Sequence, residues 1–288
     1  MTIPSGPTAF LTTREVADLL RVKERKVYDL AAANEIPHRR VTGKLLFPKD
    51  ELTAWIDGGA PSAMDRPPII AGSHDPLLDW AAREADAGLA TLFDGSAAGL
   101  EAFRSGASML SGLHIPEADG WNIQAVTEAG LSDCVLIAMA RRSQGLMMRP
   151  DLTGRVQGLS DLGGLRMILR QPGAGARSLF DRLTRGMDLG GIDIAPQPAR
   201  TETDAAQDVA QGQADISFGL EAAAHQYGLA FLPLATEHFD LLIDRKAYFE
   251  PPVQALLAFL HSDACAQKAA QLKGYDLSPL GTVRWVSP

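Results

Sequence analysis

The chain has 288 residues, 46% of them hydrophobic and 22% charged, with a formal net charge of −8. That length and composition support a sizeable buried core in two domains and argue against intrinsic disorder. Its two cysteines, Cys134 and Cys265, lie far apart with no second ligand pair beside either, which speaks against a disulfide framework or a metal site and for buried thiols in a reducing compartment. No segment reaches the roughly 18 uninterrupted apolar residues of a membrane span. The opening MTIPSGPTAFLTTREV lacks a basic stretch followed by an apolar one, so the expectation is a cytoplasmic protein without membrane attachment.

An acidic total by itself counts against nucleic-acid binding, but the distribution reverses that inference. Arg21, Lys23, Arg25, Lys26, Arg39, Arg40 and Lys44 fall in one short stretch, opposed there by Glu24, Asp29 and Glu35. A local basic patch suffices for phosphate contact. Thr12 and Glu15 have capping-box spacing and predict a helix running to about Leu20, with Val16, Leu19 and Leu20 on its inner face. Arg21-Val22 reads as a turn. A second, basic helix then starts at Lys23 or Glu24, turns Val27, Leu30 and Ala31 inward, and ends before Pro37. Two short helices around a tight turn form a helix-turn-helix. His38 to Val41, a Thr42-Gly43 turn and Lys44 to Phe47 predict a hairpin. Pro48 opens a last helix, whose Leu52, Trp55 and Ile56 close a small core.

The run TTREVADLLRVKERKVYDLAAANEIPHRRVTGKLLFPKDELTAWI resembles the winged helix-turn-helix of the MerR and excisionase family. The resemblance implies that the second helix enters the major groove of double-stranded DNA, bringing Lys23, Arg25, Lys26 and Tyr28 near bases or phosphates. It places the wing residues Arg39, Arg40 and Lys44 along the backbone or minor groove. Any one of these cations also fits a solvated helix face, and Tyr28 fits a core position as well as a contact. A homodimer is expected, because one small head covers little DNA and paired half-sites multiply affinity. The domain reading is a head over residues 1–58, a linker over 59–68 within the Gly-, Pro- and Ser-rich stretch from Asp57 to Pro68, and a body over 69–288.

In the body, strand and helix signals alternate. Ile69 to Ala71 precedes a helix with Leu77, Leu78 and Trp80, and Leu89 to Phe93 precedes one with Leu100 and Phe103. Ala107 to Leu113 leads to His114. Val135 to Met139, Leu165 to Leu169, Asp215 to Gly219 and Ala230 to Leu234 are further strands. This alternation predicts an α/β fold with largely parallel sheets. Ser73, Ser96 and the glycines Gly173 and Gly175 stand where strands hand over to helices, the place where open α/β sheets bind ligands and helix N-termini favour anions. Ser73 and Ser96 equally suit N-caps, and His74 and His114 equally suit structural histidines. Arg170, after a buried strand, calls for a ligand anion or a carboxylate. The GAGAR segment lacks the Gly-Lys-Ser/Thr ending of a phosphate loop, which speaks against nucleotide hydrolysis.

The pieces IIAGSHDPLLDW, LATLFDGSAAGLEAFRSGASMLSGLHI, RRSQGLMM, LRMILRQPGAGARSLFDRL, ARTETDAAQDVAQGQADISFGL and FDLLIDRKAYFEPPVQALLAFL resemble periplasmic-binding-protein-like domains of the molybdate-binding type. That resemblance covers nearly the whole body. It implies a two-lobed type II binding fold behind the winged head, a sensor of molybdate, tungstate or a related small anion, and a role in transcriptional regulation. It points to Ser73, His74, Ser96, His114, Arg170, Gln171, Gly175 and Ala176 as ligand-binding. Ala174 and Ala176 stand where relatives carry hydroxyls, and Asp204 puts an acid where an oxyanion is unwelcome, so an organic ligand such as a molybdenum cofactor stays open. An enzyme using His74 and Asp75 is disfavoured, since no nucleophile elbow, metal-ligand spacing or nucleotide loop is present. The expectation is therefore no catalytic residue, no metal and no cofactor. A transport or storage protein is disfavoured by the head and by the absence of an export signal.

Overall fold

A computed structural model describes residues 10–33, 35–41, 44–56 and 66–288. The chain divides into two compact units, Met1–Asp65 and Arg66–Pro288. The Thr42-Gly43 turn and residues 57–65 of the expected linker lie outside the described residues.

The first unit runs β1 (Phe10–Thr12), α1 (Thr13–Leu20), α2 (Glu24–Ala32), β2 (Arg39–Val41), β3 (Lys44–Pro48) and α3 (Lys49–Ile56). Thr12 and Glu15 form the expected capping box, and Arg21 ends α1 in the left-handed conformation at φ 54°. β3 lies between β1 and β2, so the hairpin gains a third strand from the residues leading into α1. Val16, Ala17, Val27, Ala31, Ile36, Phe47 and Leu52 form the core, with Trp55 packed against it. Two expected core members are instead exposed, Leu19 at 53% and Ile56 at 44%. The buried face of α1 is centred between Val16 and Ala17, which turns Leu19 outward, and Ile56 is the last residue of α3.

The second unit begins with β4 (Ile69–Gly72), α4 (Pro76–Glu84), β5 (Ala90–Phe93), α5 (Ser96–Arg104) and β6 (Leu110–Leu113). A small hairpin of β7 (Pro116–Glu117) and β8 (Gly120–Trp121), then α6 (Ile123–Glu128), lead into the long β9 (Cys134–Met148). β10 (Arg166–Ile168), α7 (Gly175–Leu183), β11 (Asp193–Ile194), α8 (Glu202–Ala210), β12 (Ile216–Leu220) and α9 (Glu221–Gln226) follow. The chain returns along β13 (Ala230–Asp244) and closes with α10 (Pro251–Leu260), α11 (Asp263–Leu272), β14 (Tyr275–Asp276) and β15 (Val283–Val286). Arg66 is tied into this unit, donating to Asp244 and to the carbonyls of Phe103 and Ser108.

One ten-stranded sheet runs through the unit in the order β11-β10-β12-β9-β13-β6-β4-β5, with β14 and β15 also paired to β9. The outer strands are parallel, as expected. The middle is not: β9 and β13 are antiparallel to each other and to β12 and β6. The apolar runs Val135 to Met139 and Ala230 to Leu234 are each one end of a strand of 15 residues. One end of β9 pairs with β15, the other with β12, so the β9–β13 ribbon belongs to both lobes.

A core around Leu146, Leu169, Phe180 and Phe218 fills the lobe built on β10, β11, β12 and α7. A larger core including Ile70, Leu78, Leu110, Leu241 and Leu256 fills the other and continues through Ile168 of β10 and Ala205, Ala206 and Val209 of α8. Cys134 and Cys265 are free and buried, and burial pushes each thiol up to about 11. No helix among the described residues is long and apolar enough to cross a membrane.

Gly72 ends β4 at φ +111°, and a Cβ there would collide with the backbone of Gly112 on β6. Both the backbone angle and the space require glycine. Gly72→Ala is expected to lower stability by about 3 kcal/mol or more, read as an earlier midpoint in urea unfolding.

Candidate functional site

On the head, Lys23, Arg25, Lys26 and Tyr28 are exposed along α2, and Arg40 and Lys44 are exposed on the strands of the wing. Arg14, Tyr28, Arg40 and Lys44 line a groove of about 460 Å³ floored by Thr13, Leu45 and Leu46. Arg39 differs from its neighbours, because its guanidinium pairs with Glu51 at 2.8 Å.

In the body, Ser73, Ser96, His114 and Gly175 come together. Ser73 follows β4, Ser96 opens α5, His114 follows β6 and Gly175 opens α7. Ser73 Oγ lies 2.7 Å from His114 Nε2, and the His114 backbone N–H donates to Ser96 Oγ at 3.1 Å. Gly175 packs so closely on His114 that a Cβ would overlap the imidazole and the His114 carbonyl. Gly95, the N-cap of α5 at φ 96°, backs onto Gly173 and Ala174, so the N-termini of α5 and α7 meet here. Neither serine is an N-cap. Asp75 caps α4 by accepting from Leu78 N, and Gly95 precedes α5, which leaves both hydroxyls for His114.

The far side of His114 carries a group that sequence reasoning missed. His114 Nδ1 lies 2.7 Å from Glu237 Oε2 on β13. Glu237 faces Arg142, its partner across the β9–β13 ladder, and the guanidinium bridges Glu237 and Asp75 Oδ2. Gln144 Nε2 donates to Glu237 Oε1 at 3.0 Å, and the Tyr275 hydroxyl donates to Asp75 Oδ2 at 2.6 Å. The guanidinium also stacks on Phe239, 4.1 Å from the ring centroid. Ser73, Asp75, Arg142, Gln144 and Glu237 are each no more than 1% exposed. Burial opposes charge on Glu237, but Arg142 and His114 outweigh it and hold the carboxyl down at about 2. Burial likewise opposes charge on Arg142, and Glu237 and Asp75 more than offset it. Burial and the Asp75 charge push the Tyr275 phenol up, keeping it a donor.

The remaining expected residues lie apart from this cluster. Arg170 is answered from within the chain: Glu202 on α8 pairs with its guanidinium, both side chains being 1% exposed, and the Arg200 carbonyl accepts at 2.9 Å. Gln171 Nε2 instead donates to the Asp94 carbonyl and carboxylate at 3.3 and 3.2 Å, bridging the loops before α7 and α5. Asp204 closes a capping box with Thr201 at the start of α8. Ala176 is buried in the first turn of α7, and its N-cap Ala174 makes no side-chain capping bond. His74 turns away from Ser73, its ring edge-on to Phe93 at 5.6 Å. It lines a cavity of about 370 Å³ with Asp79, Trp80, Thr203, His225 and Lys268. Burial lowers its pKa and favours the neutral ring. Among the described residues no group of three or more His, Cys, Asp or Glu is arranged to hold a metal ion.

Comparison with known proteins agrees with this division. A family profile described as the PBP superfamily domain matches residues 79–261, and one for a helix-turn-helix domain matches residues 10–60. A Bacillus subtilis (strain 168) protein, named uncharacterized protein YvgK, is 26% identical over 305 residues, covering 96% of this chain and 98% of its own length. An uncharacterized Clostridium pasteurianum protein from the 5′ region of a ferredoxin 2Fe-2S gene is 29% identical over 99 residues, 34% of this chain and 88% of its own. A phosphate-bound putative phosphate ABC transporter substrate-binding protein from Clostridium perfringens superposes at a TM-score of 0.52 with 14% identity, over 71% of this chain and 96% of its own. A Corynebacterium glutamicum OxyR C206 mutant superposes at 0.50 with 16% identity, over 91% and 90%. At such identities these two structures show a shared fold alone.

The network makes a pH-dependent prediction. Glu237 has a folded pKa of about 2, below its ordinary value, so its stabilisation is present above that ordinary value and lost as pH falls through about 2. Glu237→Gln is expected to cost about 3 kcal/mol near neutral pH. Urea unfolding of the two proteins should show the gap shrinking toward pH 2.

Proposed function

The chain belongs to the PBP superfamily, and on that premise we propose that it is a ligand-responsive transcriptional regulator whose body senses a small anion, with molybdate or tungstate the leading candidate. A helix-turn-helix head on a PBP-like body fits a regulator rather than an enzyme. The observation that carries the anion reading is the meeting of the Ser96 hydroxyl, Ser73 and the N-termini of α5 and α7 at one point, since free helix N–H groups favour negative charge. Burial of Ser73, Ser96 and His114 to 1% exposure or less means that a guest reaches them as the lobes part, and parting bends the β9–β13 ribbon. Asp94, held by Gln171 and by Arg200 at 3.4 Å, links loops of the two lobes.

Buried Ala174 and Ala176, which offer no hydroxyl at the start of α7, favour a second reading: an organic ligand, such as a molybdenum cofactor, with an anionic group. Ser73, His114 and Glu237 also stand in the order of a nucleophile, base and carboxylate. Ser73 N–H is committed to the Gly112 carbonyl, which removes one candidate donor for an oxyanion.

On the head, Lys23, Arg25, Lys26 and Tyr28 contact bases or phosphates of double-stranded DNA in this reading, and Arg40 and Lys44 follow the backbone. Arg39 is assigned the same role with its charge partly spent on Glu51. The protein acts in the cytoplasm as a homodimer, so that occupancy of the body biases how paired heads meet their half-sites. Such coupling typically amounts to ~1–3 kcal/mol.

Arg25→Ala with Lys26→Ala is expected to weaken operator binding and reduce the slope of log affinity against log salt by about two, leaving ligand affinity unchanged. Ser96→Ala is expected to leave basal DNA binding intact and remove the ligand response. In a thermal-shift titration, tungstate at about 100 times its dissociation constant should add ~2.7 kcal/mol of apparent stability. Loss of both activities by both variants would contradict the division of labour.

A further inference from the structure

The hydrogen-bond inventory around His114 constrains which anion the cleft takes. Glu237 takes hydrogen bonds from His114 Nδ1 and Gln144 Nε2 and pairs with Arg142, and its carboxyl is held ionised by that surrounding. An ionised carboxylate only accepts, so Nδ1 carries a proton in either state of the ring. All remaining freedom lies at Nε2, 2.7 Å from Ser73 Oγ. With a neutral ring Nε2 is an acceptor, Ser73 spends its single hydroxyl proton on it, and only oxygen lone pairs of Ser73 are left for a guest. With an imidazolium Nε2 donates, and the Ser73 proton is free to point outward. Ser96 behaves differently: its oxygen accepts from the His114 backbone N–H, so its hydroxyl proton is free in both states.

Glu237 and Phe239 face the imidazole from β13, Ser73 and Asp75 come from the segment after β4, Ser96 from α5 and the uncharged Gly175 from α7. Arg142 and Gln144 stand behind Glu237 on β9, and Tyr275 donates to Asp75 from β14. Asp75, Arg142 and Glu237 sum to one negative charge, which a protonated His114 neutralises.

Resting on the anion reading above, we propose that His114 is a positioning residue that selects the class of oxyanion through Ser73. A neutral ring fits an oxyanion that carries a proton of its own, such as hydrogen phosphate. An imidazolium fits a bare one, such as tungstate. The proton balance follows: when His114 is neutral at rest, each bare anion bound brings one proton from solvent onto Nε2, whereas a proton-bearing anion supplies the Ser73 contact itself. A hydrogen bond of this kind, left unmet, discriminates by about 100-fold or more.

The test is calorimetric titration of the full-length protein with sodium tungstate and with inorganic phosphate across about pH 6 to 9, in buffers of contrasting ionisation enthalpy. Tungstate is expected to take up about one proton at the alkaline end, its affinity falling about tenfold per pH unit there, while phosphate takes up none. Because phosphate itself ionises within this range, its affinity is referred to the hydrogen phosphate dianion, and the tungstate-to-dianion affinity ratio should fall as pH rises. In His114→Gln the ratio, referred to the hydrogen phosphate dianion, should be flat with pH; a purely structural role would weaken both anions and leave the wild-type slope. The wild-type proton count stands by itself if that variant does not fold. Tungstate binding without proton uptake at any pH overturns this proposal and spares the anion reading. Failure of both probes to bind removes the anion reading and the proposal with it.

Discussion

The ion pair of Arg142 with Glu237, facing each other across the middle of the longest strand pair, constrains the rest of the body. Both side chains are buried on strands that belong to both lobes, and an unanswered charge at that depth is costly. Neighbours answer that charge: Asp75 takes a second edge of the guanidinium, Tyr275 and Gln144 supply donors, and Phe239 covers its face. His114 is thereby held between Glu237 and Ser73. Charge satisfaction at the crossing of the ribbon and the Ser73–His114 pair at the strand ends are thus one connected set of bonds. Register irregularities in β13 at Pro233/Ala235 and Phe239/Asp240 bracket the same place, where bulges locally increase twist.

Much of this was legible in the residues. The capping box at Thr12, the basic second helix and the alternating strands and helices of the early body follow from local pattern, because caps, turns and short apolar runs are local signals. The grouping of Ser73, Ser96 and His114 was implied instead by the family resemblance. The antiparallel middle of the sheet was not legible. Val135 to Met139 and Ala230 to Leu234 read as short strands, because Arg141-Arg142 and Glu237-His238 break their apolar runs. Those interruptions were themselves the signal. Opposite charges inside two otherwise buried strands answer each other when the strands pair, and pairing depends on tertiary register that spacing along one strand does not contain. Arg170 shows the same limit in reverse. Its need for a counter-charge was visible, whereas Glu202 as the partner depended on where α8 lands.

The split between the units has a thermodynamic meaning for regulation. The head has its own core around Val16, Val27, Phe47 and Leu52. The lobes share β9 and β13, and any change of lobe angle is a deformation of that one strand pair. Such a ribbon bends as a unit, which suits a two-state response over a graded one.

Cys134 and Cys265 bear on what else this sensor hears. Peroxides and electrophiles attack the thiolate form of a cysteine at sites they can reach. Here both sulfurs are walled off by packing and hold their protons well above neutral pH. Neither thiol therefore offers an oxidant a ready foothold, and the two cysteines serve the packing of the body alone.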